Sequence, residues 1–185
     1  MLIAIVGLVV FDQIGLLGAV GNDWDQFDKH KFPVVRAVSG DEVIVVAEGQ
    51  ETLVHLLGVD APDKGLAGEQ SAFDYTSKRL KDREVILRLE PTQTRDSQRS
   101  LLAYIYVADN DNLNLDIIRD GKAYADRRFK HTLANSFEQA EADAHKKSRG
   151  IWNGLRDEDM PAWRQEWLRA FLAERAATTR RSSAK

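Results

Sequence analysis

The feature that most constrains the fold is a succession of three short β-branched segments, each followed by a turn signal. The segments cover residues 34–38, 43–47 and 52–58, and the turns between them are Ser39-Gly40-Asp41 and Glu48-Gly49-Gln50-Glu51. Short runs of this kind, bounded by glycine and polar residues, are typical of strands joined by tight turns. The sequence therefore predicts three consecutive strands at the start of the central region.

The pattern downstream alternates between helix and strand. Apolar residues recur at helical spacing over 69–82, strands are predicted at 85–89 and 101–107 around a polar loop, 91–100, and two further helices are predicted from residues 114 and 136. Five strands with a helix after the third match a five-stranded barrel of the OB type. The predicted fold class is thus mixed α/β (α+β, mainly β), with about three helices in a domain over residues 34–155.

Composition bounds the chemistry of this domain. The chain has 185 residues, 43% of them hydrophobic and 30% charged, which is typical of one soluble domain with additional tails. It has no cysteine, which excludes disulfides and thiolate metal sites. Residues 34–155 contain 17 lysines and arginines against 20 aspartates and glutamates. A phosphate-binding surface would therefore have to be a local patch.

The N-terminal segment, residues 1–20, is apolar except for Asp12 and Gln13. It is predicted to be a membrane anchor or a signal-like segment, although no lysine or arginine precedes the apolar run, and a helix buried against the barrel is the remaining alternative. Residues 21–33 are predicted to be a linker. The protein is accordingly expected at a membrane or outside the cytoplasm, with a cytoplasmic location left open.

The C-terminal extension, residues 156–185, is predicted to be an amphipathic helix with a basic tail. Trp163, Trp167 and Phe171 are predicted to form one apolar stripe with Leu168 and Leu172, while Arg164, Arg169 and Arg175 occupy the other faces. One interpretation packs this helix on the barrel. The other brings it to a membrane surface or to a protein partner.

Four sequence motifs occur in order along the central region. They are Val38-Ser39-Gly40-Asp41-Glu42-Val43; His55-Leu56-Leu57-Gly58-Val59-Asp60-Ala61-Pro62-Asp63; Asp96-Ser97-Gln98-Arg99-Ser100-Leu101-Leu102-Ala103-Tyr104; and Leu113-Asn114 with Asp120-Gly121, Ala140-Glu141 and Gly150-Ile151-Trp152. They are similar to V-D-G-D-T-[VI], R-L-x-G-[IV]-D-[AT]-P-E, D-x-Y-G-R-x-L-A-Y and the C-terminal pattern of the thermonuclease, or staphylococcal-nuclease-like, family. The central region therefore resembles that family.

The resemblance implies a calcium-dependent nuclease that hydrolyses phosphodiester bonds in nucleic acid. Asp41 and Asp60 lie at the positions of the family's two cation-binding carboxylates, with the backbone carbonyl of Ala61 as a third ligand. Hard oxygen donors of this kind suit Ca²⁺. Each aspartate could alternatively be a turn residue without a metal.

Two catalytic positions of the family pattern carry different residues in this chain. Asp63 stands where the family has its glutamate base, and its side chain is shorter by one methylene. The alternative is that Asp63 is a solvated loop residue without a catalytic role. His55 stands where the family has an arginine, and histidine lacks the bidentate fork of a guanidinium. The alternative for His55 is a barrel residue bonded to a nearby carboxylate.

The second arginine of the family pattern is also displaced. Ser100 occupies its position, and Arg99 lies one residue earlier, where the family has glycine. A slip in the loop would bring Arg99 to the phosphate, whereas a regular strand would direct it to the opposite face. We therefore predict weakened catalysis, with His55, Asp63 and Arg99 as candidate catalytic residues.

Contact with nucleic acid is predicted at Arg127, Arg128 and Phe129, where two guanidinium groups adjoin a ring that could stack on a base. The alternative is a solvated charged surface. If the departures at the catalytic positions abolish cleavage, the same barrel would be a module that binds nucleic acid or a protein at a membrane.

Overall fold

The computed structural model describes the backbone of residues 19–183 and the side chains of residues 23–177. The strands are β1 (Lys31–Ala37), β2 (Glu42–Ala47), β3 (Gln50–Leu56), β4 (Val59–Asp60), β5 (Glu84–Arg88), β6 (Leu101–Ala108), β7 (Asp111–Asn112) and β8 (Tyr124–Ala125). The helices are α1 (Ala19–Phe27), α2 (Glu69–Leu80), α3 (Leu113–Arg119), α4 (Ala134–Lys146) and α5 (Ala162–Ser183), with short 3₁₀ turns at Gly150–Trp152 and Asp157–Asp159.

Five strands close into a barrel, as the sequence predicts. The order is β3-β2-β1-β5-β6, with antiparallel pairs throughout, and a parallel pairing of β3 with β6 closes the cylinder at Val54 and Leu101. The barrel begins at Lys31, three residues before the predicted boundary, because Phe32 is buried and pairs with Val85 of β5. Full closure removes the exposed edges of the sheet.

Alternation along each strand explains why the barrel forms. In β2, Val43, Val45 and Ala47 point into the core, whereas the residues between them are only partly buried. Helix α2 covers the barrel with Ala72, Thr76 and Leu80, which recur every fourth residue and are fully or almost fully buried. This spacing places one helical face on the core, as the periodicity of the sequence predicts.

Helix α1 corrects the prediction of a linker over residues 21–33. Instead of a linker, the structure has a helix up to Phe27 and strand β1 from Lys31. Phe27 is buried and contacts the ring of Phe32 at a centroid distance of 5.8 Å. Asp23, also buried, accepts two bonds from Arg95 at 2.8 and 2.6 Å and one from Thr94 at 2.8 Å. The segment is therefore part of the folded unit.

The prediction of a membrane anchor or signal falls almost entirely on residues 1–18, outside the described residues. Within residues 19–183, no helix combines the length and the apolar character needed to cross a bilayer.

Helix α5 packs on the domain through its first turns, where Trp163 and Trp167 of the predicted apolar stripe take part but the end of the stripe does not. Arg164, predicted on an outer face, is only 7% exposed, whereas Phe171 and Leu172 are 39% and 55% exposed. The reason is electrostatic, because Arg164 bonds to the buried carboxylate of Glu141 on α4 at 2.7 Å. Its guanidinium also lies 5.0 Å from the ring centroids of Tyr124 and Trp152.

Candidate active site

An open cleft of about 770 Å³ lies at one end of the barrel, between the β1–β2 turn, the segment after β3 and the loops before β6 and α4. Most of the residues singled out from the motifs line it. Acidic groups predominate, and the titratable lining residues are Asp41, Glu42, His55, Asp60, Asp63, Lys64, Glu69, Asp96, Asp126 and Arg128. Seven carboxylates against Lys64 and Arg128 make the cleft attractive to cations and repulsive to a bare polyanion.

Asp41 is held rigidly by the turn that carries it. Gly40 passes so close to the rest of the structure that a Cβ there would lie 2.6 Å from the Cβ atoms of both Ala61 and Ala72. The Asp41 carboxylate accepts bonds from the Ser39 hydroxyl at 2.8 Å and the Ala61 N–H at 3.1 Å. Burial raises the pKa of Asp41, although both bonds oppose this. The motif glycine thus places Asp41 beside the residue that follows Asp60.

Asp60 ends the short strand β4, which pairs with β8 through Tyr124. One carboxylate oxygen, Oδ1, accepts a bond from Arg128 at 2.5 Å, and the other, Oδ2, accepts one from the indole N–H of Trp163 at 3.0 Å. Burial raises the pKa of Asp60 to about 6, because desolvation outweighs the opposing contributions of Trp163 and Arg128. The charge of Asp41 raises it further.

His55 lies between two carboxylates. Its Nε2 is 2.7 Å from Glu42 Oε1, and its Nδ1 is 2.9 Å from Asp96 Oδ2. Both ring nitrogens thus lie within ion-pair distance of a carboxylate, although the buried Nε2 makes no hydrogen bond within the described residues. In this arrangement His55 lies between strand β2 and the loop before β6.

Ala61 and Asp63 lie on either side of Pro62 in the second motif, and their environments differ. Asp63 is exposed at the lip of the cleft, and its backbone carbonyl accepts a bond from the Leu66 N–H at 2.9 Å. Ala61 is 6% exposed and lines the cleft next to Asp41. The cleft therefore brings together Asp41, Asp60, Ala61 and Asp63.

The structure does not bring Arg99 to this group. Arg99 is exposed in a turn with φ of 70°, and the described residues that line the cleft include neither Arg99 nor Ser100. The turn is held by Asp96, whose carboxylate accepts the backbone N–H groups of Gln98 at 2.8 Å and Ser100 at 2.9 Å. A left-handed conformation strains a residue with a side chain, which accounts for the family's glycine at this position.

The three predicted nucleic-acid-binding residues are in different settings. Arg127 bonds to Glu141 at 2.9 Å and lies 4.0 Å over the ring of Trp167, so it serves to anchor α5. Arg128 reaches into the cleft, where it is paired with Asp60 and Asp126. Phe129 is half-buried and lines the cleft wall.

Sequence reasoning missed Asp126 and Trp163. Asp126 is 5% exposed and binds the guanidinium of Arg128 through both carboxylate oxygens at 2.9 Å. A single acidic residue after a short strand gives no signal in the sequence. Trp163 belongs to the C-terminal extension, and its place beside Asp60 follows only from the docking of α5.

The cleft offers donor atoms of the kind that a hard divalent cation prefers. Asp41 and Asp60 offer carboxylate oxygens in an acidic cleft, and such ligands suit Ca²⁺. Within the described residues, however, no three histidine, cysteine or acidic side chains are arranged as a metal site. The remaining ligands would have to be backbone carbonyls, such as that of Ala61, and water.

Comparison with known proteins agrees with this geometry. Residues 53–154 match the family of staphylococcal nuclease homologues. A thermonuclease from Staphylococcus intermedius is 28% identical over 161 residues, which cover 81% of this chain and 92% of that relative. A thermonuclease from Staphylococcus hyicus is 26% identical over 133 residues, 68% of this chain and 78% of the relative.

A third relative is an uncharacterized endonuclease from Haemophilus influenzae, 26% identical over 140 residues, which are 75% of each chain. The family match spans more than half of the chain, and the barrel has the closed topology that the motifs imply. The protein belongs to the staphylococcal nuclease family.

Proposed function

We propose that the protein hydrolyses phosphodiester bonds in nucleic acid with the help of Ca²⁺, at a rate below that of family members with a complete motif. The observation that carries this proposal is the placement of Asp41, Asp60 and Asp63 in one acidic cleft. These positions match the cation-binding and base positions of the family pattern. The thermonucleases and the endonuclease among the relatives support the reaction class.

The chain's own residues divide the chemistry between them. Asp41 and Asp60 would hold the cation, and Asp63, exposed to solvent at the lip, would accept a proton from the attacking water. A bound Ca²⁺ supplies a positive charge that binds the phosphate and stabilises the developing charge on it. Because Asp63 is one methylene shorter than glutamate, the water must lie closer to the backbone, and a misplacement on the order of 1 Å costs roughly 10²-fold in rate.

We expect weak stabilisation of the transition state because of where the cationic side chains lie. His55 has both nitrogens beside carboxylates, and the Ser100 position offers no guanidinium. Arg128 is the arginine among the described cleft-lining residues, but Asp60 and Asp126 share its charge. The loss of one donor to a developing oxyanion costs about 3–4 kcal/mol.

Contact with the substrate would depend on Phe129 and on the cationic side chains that line the cleft. Phe129 presents a half-buried ring in the same cleft as Lys64 and Arg128, which suits a single-stranded nucleotide that stacks on it. Because the lining is acidic, we expect binding of nucleic acid to require the divalent cation and to weaken with salt.

The second candidate function is a barrel that binds without cleaving. The engagement of His55, Arg127 and Arg128 by protein carboxylates favours it. In this case the acidic cleft would accept a basic segment of a protein partner. We also retain the proposal that residues 1–20 direct the chain to or across a membrane, which fractionation of cells that express the full chain would test.

A nuclease assay on the purified full-length chain tests the function. Cleavage of single-stranded and duplex DNA and of RNA should occur with Ca²⁺ and stop with a chelator. Asp41→Asn and Asp63→Ala should each lower the rate at least ~10²-fold, whereas Asp143→Asn, an exposed change on α4, should leave it unchanged. The absence of cleavage by the wild type under all conditions would leave the binding function.

A further inference from the structure

A residue beyond the stretch matched by the family model contacts a candidate cation ligand. Trp163 lies nine residues beyond the end of the family match at residue 154, on α5. Its indole N–H donates to Asp60 Oδ2 at 3.0 Å, across 103 residues of sequence. The candidate cation ligand is thus contacted by a residue that lies outside the stretch matched by the family model.

The position of Trp163 is fixed by strong contacts of the residues that follow it. The next residue, Arg164, forms a pair with Glu141 at 2.7 Å in which the side chains are only 9% and 4% exposed. One turn further along, Trp167 stacks against the guanidinium of Arg127 at 4.0 Å. Breaking a buried pair of this kind is strongly unfavourable, so α5 does not reach Asp60 by chance contact at the surface.

Trp163 and Arg128 together engage the whole Asp60 carboxylate. Arg128 donates to Oδ1 at 2.5 Å and its guanidinium lies 4.9 Å from the centre of the Trp163 ring. A divalent cation would bind through one or both of the same two oxygens, and it is repelled by a guanidinium at ligand distance. Cation binding and the two protein donors therefore compete for Asp60.

We propose that Trp163 is a positioning residue that, with Arg128, holds the Asp60 carboxylate in the cation-free cleft and sets the affinity of the site for a divalent cation. The proposal rests on the proposed function only for the role of Asp60 as a cation ligand. Linkage is reciprocal, so a cation that weakens the Trp163 contact must also bind more tightly when that contact is removed.

Calorimetric titration of the full-length chain with CaCl₂ tests the competition. Trp163→Phe keeps an aromatic ring against Arg128 but removes the N–H donor, and we expect it to bind Ca²⁺ roughly 10-fold more tightly, the effect of losing one hydrogen bond to a charged group. Trp167→Phe is the matched control, because Trp167 lies on the same helix and contacts Arg127 instead of Asp60. Its affinity should equal that of the wild type.

Equal or weaker binding by Trp163→Phe would overturn the proposal. Arg128→Gln provides a second variant, also expected to tighten binding, for the case in which Trp163→Phe is poorly folded by circular dichroism. Binding that Asp60→Asn abolishes but Trp163→Phe leaves unchanged would refute the role of Trp163 and preserve the cation site. The absence of binding in the wild type and in both variants would refute both.

Tryptophan fluorescence provides a readout that is independent of affinity. The chain has four tryptophans, and Trp163 is the one bonded to Asp60 in the described structure. Ca²⁺ should change the emission of the wild type and of Trp167→Phe, and this change should be lost in Trp163→Phe. A change that persists in Trp163→Phe would place the perturbed tryptophan elsewhere and contradict the proposal.

Discussion

The barrel core and the cleft share the same strands but are stabilised in opposite ways. In the core, Val43, Val45, Leu87 and Ile105 are fully buried, and each removes apolar surface from water. In the cleft, Asp41 and Asp60 have raised pKa values because burial disfavours their charge. The core therefore supplies stability, and the burial of carboxylates in the cleft consumes part of it.

The stability that the fold loses by burying Asp60 depends on pH, because the pKa of Asp60 is raised. Its folded pKa of about 6 exceeds the value of 3.8 expected in the unfolded chain, so the folded state holds its proton more tightly. The protonated form therefore contributes stability at low pH that is lost as the pH rises from about 4 through about 6. Above that range the ionised carboxylate destabilises the cation-free fold.

The largest predicted effect restores the family's catalytic residues in the cleft. The combination His55→Arg, Ser100→Arg and Asp63→Glu should raise calcium-dependent kcat/KM by at least ~10³-fold, about 4 kcal/mol of transition-state stabilisation. Adding Arg99→Gly should help further, because it relieves a non-glycine residue at φ of 70°. Kinetic assays with and without Ca²⁺ measure the effect, and an unchanged rate would mean that other residues perform the chemistry.

A truncated side chain in the core should lower the stability of the fold and leave the calcium affinity of the cleft unchanged. Leu87→Ala removes a fully buried side chain and should lower the free energy of unfolding by about 3 kcal/mol. Because Leu87 does not line the cleft, calcium affinity at a temperature where the variant is folded should be unchanged. Urea denaturation measures the loss, and Val35→Ala, at a position that is 43% exposed, should cost less than about 0.5 kcal/mol. Equal losses in the two variants would contradict this view of the core.

An intermediate effect is expected where α1 is tied to the loop before β6. Asp23→Ala leaves Arg95 and Thr94 without their shared partner and should cost about 2 kcal/mol, less than a fully buried pair because Arg95 is 31% exposed. Asp25→Ala, exposed on the same helix, should be neutral. Thermal unfolding of both variants would distinguish a structural helix from the linker that the sequence predicts.

The smallest effect concerns His131, which packs against Tyr104 and Phe137. Burial lowers the pKa of His131 below 6.5, so the unfolded chain takes up a proton more readily than the folded one. Stability from this residue is present above pH 6.5 and is lost as the pH falls below it. His131→Gln should flatten the pH dependence there by less than about 1 kcal/mol. Unfolding curves at pH 7.5 and 5.5 provide the measurement, and an unaltered slope would contradict the prediction.

The sequence predicts the barrel because its information is local. Buried and partly buried residues alternate along β2, as expected for a strand. Ala72, Thr76 and Leu80 recur every four residues, as expected for one face of a helix. The motifs likewise locate Asp41, Asp60 and Asp63 in one cleft, because Gly40 permits a close approach that a side chain would block.

Long-range ion pairs could not be predicted in this way. Arg164 is charged and falls outside the apolar stripe, so its spacing indicates an outer face, yet its pairing with Glu141 buries it. Residues 21–33 are mostly polar, and the pairing of Asp23 with Arg95, 72 residues away, joins them to the fold together with the buried Phe27 and Phe32. Partners that distant leave no periodic signal.

The most direct test of the account measures stability and cleavage on one variant, Asp60→Asn. Removing the charge should raise the free energy of unfolding at pH 8 without calcium by about 1–2 kcal/mol. The variant no longer has to bury a charged carboxylate, but it loses part of this gain because the bond from Arg128 is weakened. This gain should fade as the pH falls from about 6 to about 4, and calcium-dependent cleavage should fall at least ~10²-fold. A variant that is less stable at pH 8, or one that still cleaves like the wild type, would contradict the claim that the cleft sacrifices stability for a cation site.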